Sequence, residues 1–231
     1  ITFNGGTSWS PQNNQPTAQF YRVITDNQFP YRLYAGQQDN SSVAIASWSS
    51  GGIDWKDWYS VGGCESAIPG FDKDDPRYVY AGCYMGIMSE FDHETGAARN
   101  VQAYPVMPAA LRADEMKYRF NWNSPIHVSL HDPYVIYHAA NVLLKSVDRG
   151  FNWTEASPDL TRNEDDKQGK GSGPYTNENI EQYNTIFAFA ESPHDPQVLW
   201  AGSDDGRVHL TRDGGKNWKE VTPPGLPEFA A

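Results

Sequence analysis

Apolar residues fall along this chain in short runs broken by Pro, Gly, Asp and Asn. Short runs rich in β-branched and aromatic residues, bounded by turn formers, predict strands. Four segments share one order. An apolar run comes first, at Phe20 to Thr25, Ser66 to Phe71, Ile126 to Leu130 and Thr185 to Glu191; these are strands A. An X-Pro turn follows at Pro30, Pro76, Pro133 and Pro196, because Pro fixes φ and cannot continue a central strand. Strands B are the aromatic runs after each proline, ending at Gly36, Gly82, Ala139 and Gly202. Strands C lie at Val43 to Trp48, Gly86 to Phe91, Val142 to Ser146 and Arg207 to Thr211. Strands D lie near Trp55 to Val61, Ala98 to Ala103, Trp153 to Ala156 and Trp218 to Thr222.

The four prolines are 46, 57 and 63 residues apart, the size of propeller blades with loop insertions. Four antiparallel strands per unit, repeated, predict an all-β protein: a β-propeller of four-stranded blades, about four of them from a larger ring. The expected blades are residues 20–61, 62–104, 120–157 and 183–224, with long inserted loops at 105–119 and 158–182. Residues 1–19 read as the last strand of a preceding blade.

The C–D turns carry the sharpest motif. Ser146-Val147-Asp148-Arg149-Gly150-Phe151-Asn152-Trp153 and Thr211-Arg212-Asp213-Gly214-Gly215-Lys216-Asn217-Trp218 fit one pattern, and Thr2 to Trp9 repeats it with Asn4 in place of Asp. Trp48 to Trp55 and Phe91 to Gly96 are looser copies. A short acidic or amide side chain accepts bonds from turn N–H groups, Gly takes positive φ, and Trp packs under the hairpin. The pattern is that of the Asp-box, or BNR, repeat. It assigns structural roles to Asn4, Trp9, Asp148, Gly150, Trp153, Asp213, Gly215 and Trp218.

Composition narrows the function. The 231 residues carry 29 acidic and 18 basic side chains, a net charge of −11, which repels phosphate backbones and argues against a nucleic-acid partner. No run is long and apolar enough for membrane insertion. The histidines have no metal-ligand spacing, and no phosphate loop or nucleophile elbow is present, so neither metal nor cofactor is expected. Cys64 and Cys83 lie symmetrically about the turn at Asp72 to Asp75, which would place them opposite each other on neighbouring strands, as a disulfide or as two buried thiols.

Longer stretches resemble a family of large bacterial propeller proteins described as glycosyl-hydrolase-like or sortilin-like. They include Tyr34 to Asn40, Gly62 to Ser66, Tyr118 to Ile126, Ser157 to Arg162, Thr185 to Pro193 and Ala201 to Gly206. Cys64 departs from the family, where Gly is more familiar. The resemblance implies an exported protein, extracellular or periplasmic, with further blades.

Strand alternation sends the B–C and D–A connections to one face of a propeller and the X-Pro and C–D turns to the other. Binding residues are therefore sought among the former. Gln37, Gln38, Asn40, Arg119, Asn121, Trp122, Asn123, Tyr183 and Asp204 are expected there as ligand contacts. Glu65, Asp39 and Asp205 are the candidate catalytic carboxylates, with Glu65 alternatively pairing with Arg119. Trp122 reads either as a sugar platform or as a buried Trp between blades. The Gly/Lys tip of the second insertion, Lys167 to Pro174, is expected to border the site. Three readings stand: a module binding glycan or peptide, part of a sialidase- or xyloglucanase-like glycoside hydrolase, or a scaffold segment. Open blade faces would be covered by self-association or by missing blades.

Overall fold

The computed structural model describes residues 2–10, 18–66, 68–106, 111–168 and 182–229. Within them the chain folds as a four-bladed β-propeller. The first blade pairs β1 (Ile24–Thr25), β2 (Arg32–Gly36), β3 (Ser42–Ala46) and β4 (Trp58–Ser60) in that order. The second holds β5 (Tyr78–Gly82), β6 (Met88–Asp92) and β7 (Ala98–Asn100). The third runs through β8 (Ile126–Val128), β9 (Ile136–Ala139), β10 (Leu143–Ser146) and β11 (Thr154–Glu155). The fourth comprises β12 (Ile186–Glu191), β13 (Leu199–Ser203), β14 (Val208–Thr211) and β15 (Lys219–Glu220). Each strand pairs antiparallel with the next, so every blade is a meander.

Strand A of the second blade differs from the sequence expectation. In place of a strand over Ser66 to Phe71 there are two isolated bridges, Gly70 to Tyr80 and a parallel one from Ile68 to Pro125. Pro69, between them, has no N–H to give a ladder. Gly70 is also pressed against the third blade: a Cβ there would stand 2.9 Å from Ile126 Cγ2.

The blades stack through a repeated aromatic. Tyr34, Tyr80 and Tyr137 occupy equivalent places on β2, β5 and β9, and each is 2% exposed or less. Tyr34 packs with Phe71 and Val79 of the second blade, Tyr80 with Ile126 and Val128 of the third, and Tyr137 with Ile186 and Leu199 of the fourth. Trp200 holds the corresponding place on β13 and is 42% exposed. Arg22 of the first blade points its guanidinium at the Phe187 ring of the fourth, 6.0 Å from its centroid.

The C–D turns lock the same blades from the other direction. Asp148 accepts from the backbone and side-chain nitrogens of Asn152, at 2.8 and 2.7 Å, while Gly150 N–H donates to Ser146 Oγ. Asp213 repeats this with Asn217 at 2.9 and 2.7 Å, and Asn4 Oδ1 accepts from Ser8 N–H. The Asn217 bonds pull the Asp213 carboxyl down to about 2, and those from Asn152 lower Asp148. Trp153 Nε1 then donates to the Val101 carbonyl of the preceding blade, and Trp218 Nε1 to the Ala156 carbonyl, both at 2.9 Å. Gly150 and Gly215 (φ 82° and 98°) abut those same residues, where any Cβ would collide with Val101 or Ala156. The second blade lacks the Trp; there His93, whose Nδ1–H donates to the Pro76 carbonyl, accepts from Tyr59 Oη of the first blade at 2.9 Å.

Candidate functional site

The residues singled out on the B–C and D–A connections separate into two groups. Chain segment 121–122 joins them: Asn121 reaches towards the fourth blade and Trp122 stacks on Tyr84 of the second.

The first group surrounds an open hollow of about 450 Å³, lined by Asp39, Asn40, Ser41, Glu65 and Tyr84 above the Cys64–Cys83 pair. Gln38 organises it. Its amide nitrogen donates to Glu65 Oε2 at 2.7 Å and to Asp39 Oδ1 at 3.1 Å, and its carbonyl oxygen accepts from the Tyr21 hydroxyl. Asp39, at φ 58°, also turns its own N–H to Glu65 Oε2 at 2.5 Å. Two oxygens that share one nitrogen lie no more than about 6 Å apart, within reach of a common ligand. No Lys, Arg or His makes an ion pair with either carboxylate among the described residues.

The expected alternative partner of Glu65 is elsewhere. Arg119 is 5% exposed and donates to Asp159 Oδ2 at 2.9 Å and to the Asn184 carbonyl, which gives the buried guanidinium its charge partner. Asp159 is held below the usual carboxylate range, because bonds from Thr161 and Asn141 and the Arg119 charge outweigh its burial.

Cys64 and Cys83 form a disulfide with Cα atoms 4.9 Å apart. Each is followed directly by a residue of the hollow, Glu65 and Tyr84. The bond ties one wall to the other. Tyr84 and Trp122 stack with ring centroids 5.3 Å apart and planes 21° from parallel. Trp122 is half-buried, between the two states its sequence context allowed. Gln37 pairs with Phe20 as an isolated bridge and Asn40 accepts from Ser41 N–H.

The second group is buried. Asp205 is fully enclosed: its carboxylate accepts from Asn184 Nδ2, Arg162 N–H and the Ser203 hydroxyl. A carboxylate so committed is poorly placed to meet a substrate. Asp204, 3% exposed, accepts from the Thr185 N–H and hydroxyl and from Asn121 Nδ2. Burial, with the neighbouring Asp205 charge, pushes its carboxyl up to about 6 against the Thr185 bonds. Tyr183 is 3% exposed, and Asn123 keeps its Oδ1 buried without a partner. Of these, Asp205 joins the second insertion to the propeller, through Arg162. The tip of that insertion, expected to border the site, lies outside the described residues from 169 to 181.

Sequence reasoning missed Tyr21, Asp159 and Arg162 as organisers. The run Ser157 to Arg162 carried part of the family resemblance, which was a usable signal for two of them; Tyr21 carried none.

Among the described residues no group of three His, Cys, Asp or Glu could hold a metal ion, and no helix is long and apolar enough to cross a membrane. No protein-family model matches the chain, and no curated protein matches it. The class that the strands define is the β-propeller.

Proposed function

We propose that this chain is an exported β-propeller module of the Asp-box type that binds glycan or peptide on the face formed by its B–C and D–A connections. One observation carries the reading: a concave, aromatic-walled hollow whose polar side chains converge, sited between two blades on that face. A disulfide beside it supports export to an oxidising compartment, extracellular or periplasmic. Binding of the purified chain to glycan and peptide arrays tests this; blank arrays on both would overturn it.

A glycoside hydrolase is the second reading. The closeness of Asp39 to Glu65 through Gln38 favours it, since retaining enzymes set two carboxyls about 5 to 5.5 Å apart. Release of reducing ends from a labelled glycan, abolished by Glu65→Gln, would establish it.

A further inference from the structure

The hollow between the first two blades has a property that distinguishes among ligands. Its polar walls are acidic, and among the described residues no Lys, Arg or His pairs with them. Among the described residues Glu65 accepts from an amide nitrogen and a backbone N–H, and Asp39 from the same amide. Arg119, the cation whose sequence position suggested a partner, is spent on Asp159. The chain as a whole carries −11. A ligand entering here meets two carboxylates within about 6 Å of each other, so a cation is attracted and an acidic sugar repelled.

The other walls say what carries the cation. Tyr84 lines the hollow and is backed by Trp122, which fixes the plane of its ring. A fixed flat ring offers a face to the C–H surface of a pyranose, and its π-face favours a nearby ammonium group. Asn40 and Ser41 add an amide and a hydroxyl at the rim, suited to sugar hydroxyls. The hollow is broad and open at about 450 Å³, with room for a ring. A lysine side chain would call for a narrow slot.

We infer that the Asp39–Glu65–Tyr84 hollow recognises an amino sugar: a glycan unit stacked on Tyr84 with its free, protonated amine beside the two carboxylates. This rests on the reading of the face as a binding surface, and it names the ligand class.

The test uses matched ligands. Titration calorimetry of the full chain compares a chitosan oligosaccharide, with free amines, against the N-acetylated oligosaccharide of equal length, with a polylysine peptide as a third arm. The expected result is that the free-amine sugar binds about tenfold more tightly than its acetylated twin, since acetylation removes the charge. That preference shrinks at high salt. It also disappears in Glu65→Gln and in Asp39→Asn, while Tyr84→Ala weakens both sugars together. Thermal melts of each variant show that the fold is kept; two independent carboxylate variants guard against one failing to fold. Equal affinity for the two sugars overturns the inference and leaves glycan binding standing. Binding of polylysine but of neither sugar overturns it in favour of a peptide. Binding of none of the three overturns it, and the array result then decides whether the wider reading falls as well.

Discussion

The amide nitrogen of Gln38 stands 2.7 Å from Glu65 Oε2 and 3.1 Å from Asp39 Oδ1, so one uncharged side chain holds two like charges together. Gln38→Leu keeps the volume and removes the clamp. Glu65 is then tied to its neighbour by the Asp39 N–H alone among the described residues, and the Asp39 carboxylate loses its hold. Affinity for a free-amine oligosaccharide is expected to fall about fivefold, a loss near 1 kcal/mol. Calorimetry reads the change directly, and an unaltered affinity would show that Gln38 does not arrange the hollow.

The disulfide closes a loop with sequence separation 19, from Cys64 to Cys83. Cross-linking a loop of that size restricts the unfolded chain by about 3 kcal/mol. The double variant Cys64→Ser, Cys83→Ser is expected to melt well below the parent and to bind sugar more weakly, because Glu65 and Tyr84 lose their common anchor. A lower melting point with unchanged binding would assign the bond to stability alone.

Asp204 predicts a pH effect of defined sign. Its folded carboxyl titrates at about 6, above the ordinary value of 3.8, so between those values the native state holds the proton more firmly than the unfolded chain. Its contribution favours folding in acid and is lost as pH rises through about 6. The difference in unfolding free energy between wild type and Asp204→Asn should therefore move against wild type by about 2 kcal/mol from pH 4 to pH 7.5. Urea melts at the two pH values measure it; a constant difference would contradict the buried, proton-holding state of Asp204.

The tryptophan latches give a contrast within one motif. Trp153→Phe and Trp218→Phe each strand a carbonyl of the preceding blade and should cost about 1 to 2 kcal/mol in chemical denaturation. Trp55, at the matching place in the first blade, is 82% exposed, so Trp55→Phe should fall within about 0.5 kcal/mol of wild type. A cost at Trp55 equal to that at Trp153 would disprove the latch.

The blades were legible because their signals are local. A proline before an aromatic run, and a turn motif eight residues long, need only near neighbours to fold. What depended on meetings between distant segments was not legible. Arg119 was the alternative partner for Glu65, yet Asp159, forty positions on, takes it, and no spacing rule links those two loops. Asp205 read as a candidate catalytic carboxylate on the B–C and D–A loop face. It is enclosed because Arg162, from an insertion of irregular length, folds over it. Glu65 and Tyr84 are brought together by cysteines whose symmetry about a turn was visible, but the stack of Trp122 on Tyr84, from a third segment, was not.

The first three blades each bury a second-strand tyrosine against the blade after it, and the third and fourth each send a turn tryptophan to the blade before it. Stability then travels from neighbour to neighbour, as in a row of coupled units. The second and third blades each have two such neighbours, while the first and fourth have one. Amide exchange should accordingly be graded: fastest on β1 and β15, slowest on β5 and β9, with the exposed Trp55 and Trp200 marking the two places where fraying begins.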